Sequence, residues 1–168
     1  MPRSFDVLTE SPASVEQIHA AFGREDYWLA RISAGATQTT LDSLVVDDDR
    51  TVTVRTTEHL GRQLLSGPVG KMVSGDVKIV QIETWRPDDD GQVRGHVSAK
   101  ASGGLGSVRA ETWLAPTDDG GSQLRTALRV EIRIPLLGGK LEKSLGAGLA
   151  QGIPDMLRFT TTWIVENT

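Results

Sequence analysis

The sequence predicts an α+β fold: a curved sheet of seven antiparallel strands wrapped around one long C-terminal helix, with two short helices after the first strand. Three features carry that expectation. Residues 123–134 alternate strictly, with Leu124, Thr126, Leu128, Val130, Ile132 and Ile134 on one face and Gln123, Arg125, Ala127, Arg129, Glu131 and Arg133 on the other. This is the pattern of a strand buried on one side only. Between β-rich runs the chain turns at acidic tips, which mark antiparallel hairpins. After Pro135 the period lengthens to that of a helix, with Leu141, Leu145, Leu149, Ile153, Leu157 and Ile164 in one stripe.

Taken in order, Ser4–Thr9 alternates and reads as the first strand, with Phe5, Val7 and Thr9 on one face. Ser11 or Ser14 then serves as a helix N-cap, Pro12 is tolerated in a first turn, and Glu16 suits the positive end of the helix dipole. Val15, Ile18 and Phe22 share a helical face that ends at Gly23. A second short helix covers about Arg24 to Ser33, carrying Tyr27, Trp28, Ala30 and Ile32. Six β-runs follow: Ala36–Val46, Thr51–Thr57, Asp76–Arg86, Gln92–Lys100, Ser107–Leu114 and Gln123–Ile134. Their tips are Asp47–Asp49, Pro87–Gly91 and Pro116–Gly121. The segment Glu58–Gly75 fits no strand and reads as an apolar, glycine-rich flap. The last helix runs from about Leu137 to Glu166, but Gly138, Gly139, Gly146, Gly148 and Gly152 each cost it on the order of 1 kcal/mol relative to Ala. Pro154 removes a further helical N–H and is expected to bend it. The half before Pro154 is therefore expected to be the looser one.

Composition narrows the function. The 168 residues, read as a single domain over 1–168, suffice for a substantial core and an internal cavity. With Lys+Arg 18 against Asp+Glu 22, the net charge of −4 speaks against a nucleic-acid binder. The absence of cysteine excludes disulfides, thiolate metal sites and cysteine nucleophiles. No signal core and no apolar run approaching ~20 residues is present, so the protein is expected to be cytoplasmic, with no integral membrane segment.

A single sheet must bury one face, and only the terminal helix is long enough to cover it. One helix is only ~10 Å wide, so a curved sheet around it leaves a hollow. The element order, with the opening strand followed by Ser-Pro-Ala-Ser-Val-Glu-Gln-Ile (residues 11–18) and Ile-Pro-Leu-Leu-Gly-Gly-Lys-Leu-Glu-Lys (residues 134–143) entering the last helix, resembles the START/polyketide-cyclase (SRPBCC) superfamily. More closely, it looks like an uncharacterised START-like family within that group. The resemblance implies the helix-grip fold and a hydrophobic small molecule or lipid held between sheet and helix. Both carriers and enzymes share that fold, so fold alone does not choose between them.

Motifs for chemistry are sparse. His19, His59 and His96 stand apart with no metal-ligand spacing; His19 reads as a surface or edge histidine, His96 as solvent-facing and His59 as the hinge of the flap. Gly70-Lys71 and Gly139-Lys140 lack the rest of a phosphate loop, and no serine sits in a nucleophile elbow. No cofactor and no metal are expected. Glu111 and Glu83 lie within strands. The run 76–85 has two mixed faces: Val77, Ile79, Gln81, Glu83 and Trp85 on one, Lys78, Val80, Ile82 and Thr84 on the other. If the first is inner, Gln81 and Glu83 orient a ligand or pair with Arg55 or Arg109. The outward reading, with cross-strand salt bridges, is preferred.

The functional expectation is binding or transport of a hydrophobic small molecule or lipid by a monomer or weak dimer. The walls would be Val54, Thr56, Leu128, Val130, Leu149, Ile153, Met156 and Leu157, with Trp28 at the entrance and Leu64, Leu65 and Met72 as a lid. The alternative is a polyketide cyclase or dehydratase, which needs an acid/base pair converging on the same cavity.

Overall fold

The computed structural model describes residues 2–60 and 76–168. Strand β1 (Arg3–Ser11) leads into helices α1 (Val15–Phe22) and α2 (Glu25–Ser33). Strands β2 (Gln38–Val46), β3 (Val52–Leu60), β4 (Val77–Pro87), β5 (Val93–Ala101), β6 (Gly106–Pro116) and β7 (Ser122–Ile132) follow, and helix α3 (Gly138–Glu166) ends the chain. All seven strands form one antiparallel sheet in the order β1-β7-β6-β5-β4-β3-β2. β2 to β7 form an up-and-down meander, and β1 returns to the edge beside β7, Arg3 opposite Val130.

Local chemistry sets the boundaries. Ser14, not Ser11, caps α1: its hydroxyl accepts from the Gln17 backbone N–H at 3.1 Å while the Gln17 side chain accepts from the Ser14 N–H at 2.9 Å. This reciprocal box satisfies two N–H groups that a helix end otherwise leaves bare. Ser11 is used differently. Its oxygen accepts from the Ala13 N–H and lies 2.6 Å from the Thr161 hydroxyl, tying the end of β1 to α3. β3 extends to Leu60, three residues beyond the expected Thr57, so Glu58 and His59 belong to a strand and not to a flap. The rest of that segment lies outside the described residues.

α3 is helical without interruption through Pro154. It packs on β1, β7 and α1, along one side of the concave face. Gly146 is what allows the close approach: a Cβ there would stand 2.0 Å from the Phe5 ring of β1. Near its start, the buried Glu142 anchors the helix by accepting from the Ile132 N–H at the end of β7, at 2.8 Å. Because the helix lies toward β1 and β7, the concave surface of β3 to β6 is left for other elements to cover.

That cover is uneven. Where the hairpin tips lie, α1, α2 and the last turns of α3 close over the sheet. Phe22, Tyr27, Trp28, Trp85, Leu114, Leu124, Leu157 and Trp163 form one continuous core. Phe22 meets Trp85 at 4.7 Å between ring centroids, and Tyr27 meets Trp163 edge-on at 5.3 Å. Gly95 lies under Trp85, where a Cβ would collide with the indole. Toward the start of α3 only Ala110, Leu128 and Val130, with Phe5, Val97, Val108 and Ile132 against them, form a second small cluster. Among the described residues, no helix is long and apolar enough to cross a membrane.

Candidate functional site

Between α3 and the inner face of β4 to β7 lies a cavity of about 270 Å³. Val97, Val108, Leu128, Leu149, Ile153 and Met156 supply apolar wall. Two residues on the helical side supply room: Gly148 and Gly152 line the space, and a Cβ added to either would meet no atom within 4 Å. A second apolar cavity of about 350 Å³ continues toward the start of the helix, sharing Val108 and bounded by Leu60, Ile79, Ile134, Leu141 and Leu145. A third, of about 160 Å³, opens beside α2 between Trp28 and Thr56. It shares Arg31, Gln81 and Glu83 with the first, so these three residues stand where the two spaces meet.

Those three residues form the polar centre of the interior. Glu83 is buried, and its carboxylate accepts from the Gln81 amide at 2.8 Å and from the Trp85 indole N–H at 3.3 Å. The Arg31 guanidinium approaches Glu83 to 4.0 Å and lies over the Trp28 ring at 4.8 Å. Burial pulls the Arg31 pKa down, but the neighbouring Tyr27 hydroxyl and Glu83 carboxylate outweigh it and hold it above the ordinary arginine value. Arg31 therefore stays charged. Tyr27 is fully buried, and its hydroxyl, 2.6 Å from that of Thr160, is held protonated because burial pushes its pKa up.

The pairing is incomplete in a way that matters. Among the described residues, Arg31 Nη1, Thr112 Oγ1 and Thr126 Oγ1 have no hydrogen-bond partner, and all three residues line the main cavity. Thr112 and Thr126 face each other across β6 and β7. A buried polar atom without a partner costs roughly 1–3 kcal/mol, so these groups make the inner end the costly, polar part of an otherwise apolar interior.

The inner face of β4 is thus the one carrying Val77, Ile79, Gln81, Glu83 and Trp85, and the outward reading of Glu83 is corrected. Its partner is Arg31 from α2, not Arg55 or Arg109. The physical reason is that a guanidinium entering from a helix above the sheet compensates a carboxylate that the strand alone would not bury. Arg31 itself was not singled out in the sequence, although it follows Tyr27 and Trp28 by four and three positions and so shares their helix face. Glu111 faces outward, beside His96. His19 is a second correction: it is buried, not at the surface, and burial, then the charge of Arg50, lowers its pKa.

Of the expected wall residues, Leu128, Leu149, Ile153 and Met156 line the main cavity, and Trp28 and Thr56 line the side space. Trp28 is buried, and its indole N–H donates to the Phe22 carbonyl at 2.7 Å. Val54, Val130 and Leu157 are packed into the core clusters. Leu64, Leu65 and Met72 lie outside the described residues.

Residues 6–164 match the family described as "Protein of unknown function (DUF2505)", nearly the whole chain, and the chain belongs to that family. It is 35% identical to the uncharacterized protein Rv0481c of Mycobacterium tuberculosis (strain ATCC 25618 / H37Rv), over 99% of both chains. Two solved structures show the fold. One is a START superfamily protein from Mycobacterium smegmatis, with 13% identity, a TM-score of 0.54 and 98% and 99% of the two chains covered. The other is the ZhuI aromatase/cyclase from Streptomyces sp. R1128, with 8% identity, a TM-score of 0.58 and 98% and 94% covered. The architecture is the helix-grip fold of START and polyketide-cyclase-like proteins, as the element order in the sequence implied.

Proposed function

We propose that this member of the DUF2505 family binds, and carries, a hydrophobic small molecule or lipid in the cavity between sheet and α3, as a cytoplasmic monomer or weak dimer. The observation that carries the reading is the apolar cavity between sheet and α3, whose inner end holds the polar side chains of Arg31, Gln81 and Glu83. The ligand is then amphipathic. Its apolar body lies against Val108, Leu128, Leu149, Ile153 and Met156, and an oxygen function meets Arg31 and Gln81 at the polar end. Burying 300 Å² of such a body would give on the order of 7 kcal/mol before the entropy of binding is subtracted. The fold shared with a START superfamily protein supports the same class of ligand.

The test is mass spectrometry of the protein purified under native conditions, with thermal shifts against fatty acids, sterols, quinones and polyketides. A retained amphipathic compound, or stabilisation lost in Gly152→Trp while the fold persists, is expected. No retained compound and no stabilisation by any member of that panel would overturn the reading.

A second reading has an observation of its own. Glu83 and Arg31 are an ionisable pair converging on the cavity, which a cyclase or dehydratase requires and a plain carrier does not. Glu83 would move a proton at the carbon beside a carbonyl whose oxygen is held by Arg31. Glu83→Gln should then abolish turnover of a poly-β-ketone mimic while leaving its binding intact; a wild-type protein that leaves the mimic unchanged sinks this reading.

A further inference from the structure

Charge is sorted along this sheet. The three hairpin tips, which topology gathers at one end, hold Asp47, Asp48, Asp49, Asp88, Asp89, Asp90, Asp118 and Asp119. At the other end, Lys100, Arg109, Arg129 and Arg133 line one polar recess of about 510 Å³ on the outer face of β5 to β7. Lys140 and Lys143 are exposed in the first turns of α3. Arg109 and Arg129 stand directly opposite each other across β6 and β7, a like-charge pairing that works against the sheet. Among the described residues, neither has a carboxylate within ion-pair distance; in the recess, Glu131 is taken by Arg133 at 3.2 Å. A protein of net charge −4 therefore presents a cationic end.

The same end carries an apolar point. Leu136, in the turn from β7 to α3, is fully exposed at 104% and is held at a φ of 68°, a left-handed conformation that a bulky side chain adopts rarely. Leu145, one of the residues bounding the larger apolar cavity, is also exposed. The recess and that cavity share Ala101, Gly106, Ser107 and Glu131, so basic surface and apolar interior adjoin.

We propose that this end docks on an anionic lipid surface, with Arg109, Arg129 and their basic neighbours on the head groups and Leu136 entering the acyl boundary. An acidic protein or a nucleic acid would match the charge but gives no role to a bare, strained leucine beside an apolar cavity. A bilayer uses both, because polybasic attraction and an apolar anchor add at its interface. The acidic tips turn the remainder of the molecule away from the same surface. The purpose of docking, ligand exchange with the bilayer, rests on the cavity reading; the docking contacts do not.

The experiment is co-sedimentation of the full chain with vesicles of phosphatidylcholine alone and of phosphatidylcholine with phosphatidylglycerol, at low and physiological salt. Binding is expected only to the anionic vesicles and should weaken as salt rises. Arg109→Glu with Arg129→Glu should reduce it by about tenfold or more. Leu136→Gly, which suits the left-handed backbone, should weaken it without lowering Tm. Asp48→Asn with Asp89→Asn, at the far end, should not weaken it. No binding to anionic vesicles, equal binding to both kinds, or binding untouched by the double arginine reversal would overturn the proposal. Retention on a heparin column without vesicle binding would also overturn it, assigning the patch to a polyanion. Ligand-induced stabilisation without vesicle binding sinks the docking alone; vesicle binding with no ligand response sinks the cavity reading alone.

Discussion

At the hairpin-tip end, Phe22, Tyr27, Trp85 and Trp163 interlock and all four rings are buried. At the other end, the same sheet and the same helix enclose space, and Leu145 and Leu149 keep a third or more of their surface. The difference lies in what covers the strands. α1 and α2 fill the trough at the tips, whereas the first half of α3 stands alone and presents glycine toward the sheet. Stability and binding are thereby assigned to different parts of one core.

Deleting side-chain volume at each end tests that division most strongly. Trp85→Ala should cost about 3–5 kcal/mol, since the buried indole packs against Phe22 and its loss would widen the inner end of the main cavity. Leu149→Ala removes atoms that already face a void and should cost less than about 1 kcal/mol. Urea unfolding reads both; comparable losses would mean that the two ends are packed alike.

Two glycines on α3 sharpen the contrast. Gly152→Ala places a methyl in open space and should stabilise by up to about 1 kcal/mol, the helical preference of Ala over Gly. Gly146→Ala has the same intrinsic preference but drives a Cβ into the Phe5 ring, and overpacking of that kind costs about 1–3 kcal/mol. Opposite signs in Tm are expected, and a gain at Gly146 would show that α3 is free to lift from β1.

The smallest effect concerns pH. Folding lowers the His19 pKa below its ordinary 6.5, so the unfolded chain takes up the proton first. The stability tied to neutral His19 is complete above pH 6.5 and is lost as pH falls below it. Tm measured from pH 8 down to pH 5 should show this step, and His19→Gln should flatten it. A step unchanged by the substitution would assign the acid sensitivity to other groups.

The meander and the terminal helix were legible because each depends on a local period: alternation in 123–134 and the stripe beginning at Leu141. Strand ends were less so. β3 reaches Leu60 because Glu58, His59 and Leu60 pair with Ile79, Lys78 and Val77, residues distant in sequence. The apolar wall at Leu128, Leu149, Ile153 and Met156 followed from the same periods. The polar centre did not, because burial of Glu83 depends on Arg31 arriving from a helix above the sheet. His19 was misjudged for a related reason: its burial comes from tertiary packing against the β2–β3 hairpin, where Val46, Arg50 and Val52 flank it.

The antiparallel pairing of β1 with β7 has a consequence for synthesis. Of the seven strands β1 is made before the others and is among the last to find its partner, since Arg3 waits for Val130 and Ser11 for Ser122. The helix that rests on both strands comes later still. Until then, β2 to β6 can assemble hairpin by hairpin, but Phe5 and Val7 lack their seat beside the last strand and beneath α3. A nascent chain halted before residue 122 would hold a meander without its closing edge, and chaperone capture should be strongest there.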